Sequence, residues 1–354
     1  LPEAQTRALA VRMAASCGRR LDDACPVVDA TLPDGTRLNA VLPPLSADGT
    51  LICLRTKRRS AFTLGQLVEA GTVAPGLDSV LAALIETRAS CLITGATGTG
   101  KTTLLAALLG LVSATERIVC IEEAAELRPD HPHVLHLQER GDNVQGVGAV
   151  PMSALVRTAL RMRPDRIVLG ECRGPEVRDV LTALNTGHEG GWATLHANSP
   201  ADVPARLTAL GALAGLDETA VAAQAVSALD AVIHLRRSGA TGGGIAGRRS
   251  PREGTAERSS TRGSDGPDSC ASPEQDVMSS RSSRTRRYVS GIGMLRRGAQ
   301  GSLVCEDALI VALDGAAGTV CAVSAGPAVD RLAERIGAAP VAAAMKGGTS
   351  WTPL

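Results

Sequence analysis

Apolar positions along this chain change period several times, and the changes mark out its elements. Residues 2–20 carry Ala, Leu and Val at helical spacing and close on Gly18-Arg19-Arg20, which predicts a helix. Three short β-type runs follow at 26–32, 37–42 and 51–55. Pro33-Asp34-Gly35 and Pro43-Pro44 separate them, so they read as a small antiparallel sheet. Residues 56–76 are mixed, with two glycines and a proline, and read as a linker. After a helix at 78–88 the chain repeats strand, loop and helix. The runs at 90–94, 118–122, 166–171 and 193–196 are apolar and end in polar residues, as buried parallel strands do when they deliver side chains to a site at their carboxyl ends. Residues 104–112, 152–163 (amphipathic, stopped by Pro164) and 176–185 read as helices.

The pattern breaks at 238–287, where Gly, Ser, Arg, Thr and Pro replace large apolar residues. Such a stretch cannot offset the entropy of folding, so it reads as a disordered insertion. Its arginines are either solvated linker charges or local contacts for anionic lipid or nucleic acid. Strand-like runs at 232–236 and 287–296 flank it and are expected to pair. Short strands at 288–296 and 303–313 then complete the sheet edge, and 329–336 is the final helix. The expected organisation is an α+β domain at 1–57, a linker at 58–77, an α/β domain at 78–237, the insertion, terminal strands at 288–325, and a helix and tail at 326–354.

One stretch between an apolar strand and an apolar helix carries defined chemistry. Gly95-Ala96-Thr97-Gly98-Thr99-Gly100-Lys101-Thr102, followed by Thr103, is a complete G-x-x-x-x-G-K-[ST] pattern. Glycines let backbone N–H groups turn inward around a polyphosphate, Lys101 reaches the outer phosphates, the Thr102 hydroxyl can hold Mg²⁺, and the helix offers its positive amino end. ATP and Mg²⁺ are therefore the expected ligands.

Composition limits what surrounds that loop. The chain has 354 residues, 37 Lys+Arg against 36 Asp+Glu, and four aromatic side chains, so no global field draws it to nucleic acid and few rings are offered for base stacking. Stable nucleic-acid binding is not expected. Apolar stretches fall short of the ~20 residues of a bilayer span, so a soluble protein is expected. Residue 1 is Leu and no secretory signal pattern follows, which reads as a processed or truncated start without export. Nine scattered cysteines with no C-x-x-C pair suit reduced thiols in the cytosol.

Other candidates admit two readings each. Glu171, at the end of a strand, fits the acidic element that supports Mg²⁺ through its water shell or polarises the attacking water. Glu122, Glu123 and Glu126 form either a solvated helix start or a cluster that positions metal and water; their place after a buried strand favours the second. His188 and His196 are either γ-phosphate donors or packed core histidines. His131, His133 and His136 read as histidines of a Pro-containing loop rather than metal ligands. Arg157 and Arg161 share a helix face, which is either solvated or aimed at a neighbouring subunit's nucleotide. Arg37 and Arg55 lie near strand ends facing the linker, and surface exposure is the plain reading.

In order along the chain, 121–127, the run 155–176 containing Arg163-Pro164-Asp165-Arg166 and Gly170-Glu171-Cys172-Arg173, and 187–199 closely resemble the secretion ATPases of type II and type IV systems and pilus assembly. They match that family's acidic box, Walker B segment and histidine box, and the tight-adherence (Flp pilus) branch is the nearest in pattern. The likeness runs from about residue 4 to 235 and resumes at 287–297. Glu123 stands where the family usually has Asp, and Trp192 where it usually has a small residue. The C-x-x-C zinc element of type II relatives is absent, which favours the tight-adherence branch. The resemblance implies a RecA-like α/β core with a smaller amino-terminal domain, a homo-hexameric cytoplasmic ring and a platform in the inner membrane on whose inner face it works. It assigns Lys101 and Thr102 to phosphate and Mg²⁺, Glu122 and Glu171 to catalysis, His188 and His196 to γ-phosphate sensing, and Arg37, Arg55, Arg157 and Arg161 to closure on nucleotide. The expected function is an ATP-hydrolysing motor for pilus assembly or secretion. A RecA-like nucleic-acid translocase and a non-hydrolysing ring subunit are the alternatives.

Overall fold

The computed structural model describes residues 1–56, 61–141, 148–238, 286–313 and 320–346. The amino-terminal domain is helix α1 (Glu3–Ser16) over strands β1 (Val27–Thr31), β2 (Arg37–Val41) and β3 (Leu51–Arg55), antiparallel in the order β1-β2-β3. Ala10 and Ala14 of α1 pack on Leu38 and Ala40 of β2 to make its small core.

Next come α2 (Leu64–Glu69), α3 (Leu77–Glu86), β4 (Cys91–Gly95), α4 (Lys101–Leu109), β5 (Ile118–Glu122), β6 (Val134–Gln138), α5 (Met152–Ala159), β7 (Arg166–Cys172), α6 (Glu176–Asn185), β8 (Trp192–Leu195), α7 (Val203–Leu213), α8 (Glu218–Ala228) and β9 (Ala231–Arg237). The chain ends in β10 (Arg287–Arg297), β11 (Leu303–Leu313), β12 (Val320–Ala325), α9 (Val329–Ile336) and α10 (Ala338–Ala344). β4 to β12 form one sheet in the order β12-β11-β10-β9-β4-β8-β7-β5-β6. From β9 to β6 every pairing is parallel, and from β9 outward to β12 every pairing is antiparallel.

The parallel strands are buried on both faces because alternate residues feed two cores. Cys91, Ile93, Ile118, Cys120, Val168 and Trp192 point to the α3/α4/α10 layer, and Leu92, Val119, Ile121, Ile167, Leu169 and Ala193 to the α5–α8 layer. No helix of the described residues is long and apolar enough to cross a membrane. Cys17, Cys25, Cys53, Cys91, Cys120, Cys172 and Cys305 are free thiols.

Several expectations need correction. The stretch expected as linker contains α2, started by a capping box. Thr63 Oγ1 accepts from Gln66 N at 3.2 Å, and Gln66 Oε1 accepts from Thr63 N at 3.0 Å. α2 packs on α3 and α4, and Thr72 O accepts from Val289 N at 2.8 Å, so this stretch is a strap laid across α4 and β10. The predicted helix 152–163 leaves α geometry after Ala159, runs through a 3₁₀ turn (Leu160–Met162), and stops at Arg163 with φ 52°, so Arg157 and Arg161 do not share an α-helical face. His136 lies in the edge strand β6 rather than in a loop, no helix starts at Glu122–Glu126, and α10 follows the helix expected to be last. α7 and α8 have no counterpart among the expectations. β10 and β11 are eleven residues each rather than short. The expected pairing of the runs flanking the insertion is present: Arg237 faces Arg287 and Leu235 faces Val289. Residues 239–285, where the insertion was expected, lie outside the described residues, as does the tail from 347.

Candidate nucleotide site

A phosphate loop must turn sharply between β4 and α4. Gly95, Gly98 and Gly100 take φ values of 148°, 74° and 99°, which L side chains rarely adopt. Space adds a second constraint at Gly95, where a Cβ would lie 2.6 Å from Leu235 O of β9. Thr99 Oγ1 donates to Ala96 O at 2.9 Å and holds the loop in its curl. Lys101, the first residue of α4, is buried with only 7% of its surface exposed, and its Nζ donates to Gly95 O at 2.9 Å and Ala96 O at 3.1 Å. Burial lowers its pKa, partly opposed by the charge of Glu171.

The carboxyl ends of β5, β7 and β8 bring acidic and basic groups to the same place. β7 carries one extra residue against β8: Leu169 pairs with Ala193 and Cys172 with Leu195, and the bulge between them holds Gly170 and Glu171. Thr194 Oγ1 pins it by donating to Gly170 O at 2.6 Å. Glu171 is thereby turned into the cleft. Its Oε1 lies 2.6 Å from Arg173 Nε as a close ion contact and 2.8 Å from His196 Nε2, and its Oε2 accepts from Arg173 Nη2 at 2.8 Å. His196 Nδ1 lies 3.4 Å from Lys101 Nζ. Burial, with Lys101 next, lowers the His196 pKa, while Glu171 opposes it. A neutral ring with Nε2–H toward the carboxylate and Nδ1 toward the ammonium fits both neighbours.

Glu122 is 3% exposed, and its Oε1 accepts from Glu126 N and Leu127 N, both at 2.9 Å. Its Oε2 is buried with no hydrogen bond among the described residues, and His136 Nδ1 is 3.9 Å away. β7 approaches so closely that a Cβ on Gly170 would sit 2.7 Å from Glu122 Cγ. Outside this buried carboxylate, Arg173 Nη1 donates to Glu123 Oε2 at 2.9 Å, so Arg173 spans Glu123 and Glu171. From the amino-terminal domain, Arg55 Nη2 donates to Glu126 Oε2 at 3.0 Å and Arg37 Nη2 stands 4.0 Å from Glu123 Oε2. Arg37 and Arg55 are register partners across β2 and β3, so both face the acidic segment. The result is a cleft of about 650 Å³ between the domains, lined by Arg37, Arg55, Thr97, Gly98, Gly100, Lys101, Thr102, Thr103, Glu122, Glu123, Glu126, Glu171, Arg173 and His196.

His188, Arg157 and Arg161 are not in it. Helices of a parallel α/β unit run back against their strands, so the ends of α5 and α6 lie at the amino edge of the sheet, opposite the phosphate loop. His188 sits there, before β8, and Arg161 in the turn before β7. Arg157 Nη1 donates to Asp179 Oδ1 of α6 at 3.2 Å. Strand direction thus takes His188, expected as a γ-phosphate donor or a packed core histidine, away from this cleft, and Arg157 and Arg161, expected to be solvated or aimed at a neighbouring subunit's nucleotide, lie on the same far edge. Among the described residues no cluster of three or more His, Cys, Asp or Glu could hold a metal by itself, His131, His133 and His136 included.

Three arginines of the cleft, Arg128, Arg173 and Arg287, were missed. Arg173 was legible, two residues beyond Glu171 on the same strand-end loop. Arg287 also lines the cleft and carried no sequence signal, because only the pairing of β9 with β10 brings it to the loop.

The model of the type II/IV secretion system protein family matches residues 2–280. A Mycobacterium tuberculosis protein, Rv3659c, provisionally named as a conjugal transfer protein, is 52% identical over 241 residues, spanning 66% of this chain and 68% of its own length. The type IV secretion system protein PtlH of Bordetella pertussis is 37% identical over 227 residues, 57% of this chain and 66% of its own. Among solved structures, the VirB11 ATPase of the Brucella suis type IV secretion system, in complex with sulphate, aligns at 25% identity with a TM-score of 0.39, covering 66% of this chain and 78% of that one. With a family model spanning most of its length and a relative sharing half its aligned residues, the chain belongs to the type II/IV secretion system protein family.

Proposed function

We propose that this chain is the ATP-hydrolysing motor subunit of a pilus-assembly or secretion machine of the tight-adherence branch. In this reading it works as a homo-hexameric ring against an inner-membrane platform. One observation carries it: the phosphate loop, a strand-end glutamate and two arginines of a separate domain line a single cleft. Lys101 now spends its donors on Gly95 O and Ala96 O, and an arriving polyphosphate replaces those carbonyls with phosphate oxygens. The amino end of α4 and the backbone N–H groups of the loop take the remaining charge.

The donor set suits Mg²⁺, which keeps several waters and takes one or two carboxylates beside substrate phosphates. Thr102 would hold it directly and Glu171 through water, and the buried Oε2 of Glu122, without a hydrogen bond among the described residues, marks a further acceptor. Bound there, it would draw negative charge from the transferring phosphoryl group. Glu171, oriented by Arg173 and His196, positions the attacking water and accepts its proton, and ATP and water leave as ADP and phosphate. Glu122 is held by two backbone N–H groups and serves as the buried support. Arg37 and Arg55 reach from the other domain toward the same charge, so gain or loss of the outer phosphate changes the pull between the domains. Arg157, Arg161 and His188, on the opposite edge, have only a neighbouring subunit's nucleotide to act on.

Phosphate release by the purified chain with Mg-ATP tests this reading. Turnover that vanishes in Lys101→Ala, with scattering mass near six chains in a non-hydrolysable analogue, supports it. Absence of turnover in the wild type, or turnover indifferent to Lys101, refutes it.

A further inference from the structure

The catalytic groups all stand on one side of β4: Glu122, Glu171 and His196 arrive from β5, β7 and the end of β8. The other side of β4 is occupied by β9 and β10, and there the loop meets two arginines. Arg237 Nη1 lies 3.7 Å from where a Cβ of Gly98 would be, and Arg287 Cδ 3.7 Å from where a Cβ of Gly100 would be. The two are directly opposed in the β9–β10 register, and neither forms an ion pair with another described residue. Two guanidinium groups side by side repel, and here they border the mouth of an anion site.

The strap covers the same side. Thr72 O accepts from Val289 N two residues beyond Arg287, α2 packs on α4, and Phe62 and Ala61 line the cleft with Arg287. Phe62 is the chain's single phenylalanine. Outer phosphates must face Lys101 and the carboxylates, so the rest of a nucleotide extends the other way, toward apolar Ala61, Phe62 and Ala106 and the planar head of Arg287. Resting on the reading of the cleft as an ATP site, we infer that Arg287 is a nucleoside-binding residue. Its guanidinium lies flat on the base, opposite the apolar strap wall, and discriminates nucleotides from bare polyphosphate. Arginine suits this because its delocalised plane stacks on π systems and sheds water more easily than an ammonium.

Titration calorimetry on the full chain, with ADP and with inorganic tripolyphosphate, tests the assignment in wild type, Arg287→Ala and Arg287→Lys. Lysine keeps the charge and the aliphatic stem against Gly100 but removes the plane, and unchanged thermal melting shows that each variant is folded. Both variants are expected to lose about tenfold in ADP affinity, while tripolyphosphate stays within about twofold of wild type. Equal losses for both ligands would show that Arg287 reads charge and would overturn the assignment. Wild-type ADP affinity in either variant would overturn it as well. If the wild type binds neither ligand, the ATP reading fails and takes this inference with it. If the wild type binds both and the variants keep ADP, only the stacked arginine is lost.

Discussion

Replacing His234 should flatten the acid limb of this protein's stability curve. His234 on β9 is 1% exposed, its Nδ1 lies 2.8 Å from Thr94 Oγ1 on β4, and its Nε2 is buried without a hydrogen bond among the described residues. A proton on that ring would put a charge in a buried place, a cost that the nearby Asn198 backbone and Asp202 offset only in part. Burial first, and then the nearby Arg236 charge, lower its pKa from 6.5 to about 4. Between those values the unfolded chain binds a proton that the native one does not, so stability rises with pH across the window. The contribution is present in full above pH 6.5, falls as the pH drops, and levels off near pH 4. Each pH unit is worth about 1.4 kcal/mol, so the full window is about 3 kcal/mol, of which about 2 is gone by pH 5. Urea unfolding of wild type and His234→Gln at pH 7.5, 6 and 5, followed by fluorescence of buried Trp192, measures the difference in slope. Any fixed cost of the substitution cancels in that comparison, and His234→Asn provides a second neutral variant. Parallel stability curves for wild type and both variants would refute the reasoning and mean that His234 protonates in the native state.

Glu171→Gln should keep ADP affinity and lower turnover by about 10²-fold; wild-type turnover would pass the role of base to Glu122. Gly170→Ala places a methyl group against Glu122 Cγ and should cut kcat by on the order of ten- to a hundredfold without weakening ADP binding, read by phosphate release beside calorimetry. Ser238 N donates to Arg286 O at 2.7 Å, so a two- to four-residue Gly/Ser turn can span residues 239–285. That replacement should leave the melting temperature equal or higher and basal turnover unchanged, and a chain that unfolds or loses hydrolysis would contradict it.

The phosphate loop and the strands around it were legible because their signals are local: Gly95 to Thr102 fix the turn by residue type, and fully apolar runs such as Cys91–Ile93 admit only a buried element. β6 was hidden because Pro132 precedes it and polar His136 and Gln138 share one of its sides, so five residues of edge strand look like loop. α2 was hidden by its length, although Thr63 and Gln66 were available as a capping pair. His188 and His196 look equivalent in sequence, and only β8, carrying the chain from one edge of the sheet to the other, separates them. Arg37 and Arg55 could be placed at strand ends, yet their reach to Glu123 and Glu126 depends on how two domains meet. Arg287 needed a pairing between strands whose facing residues are fifty positions apart.

The reversal of strand direction at β9 has an engineering consequence. In the parallel half, strands only leave the sheet at the edge that carries the Gly95–Thr102 loop, and except after β5 the next element along the chain is a helix that covers a face. β9 and β10 leave and re-enter at that edge, with Ser238 and Arg286 joined by a backbone hydrogen bond, so their junction is a port that no helical layer depends on. A fluorescent or affinity-tagged domain with closely spaced termini, spliced at that port, would stand beside Gly98 and Gly100 without a probe attached to Lys101, Glu171 or His196.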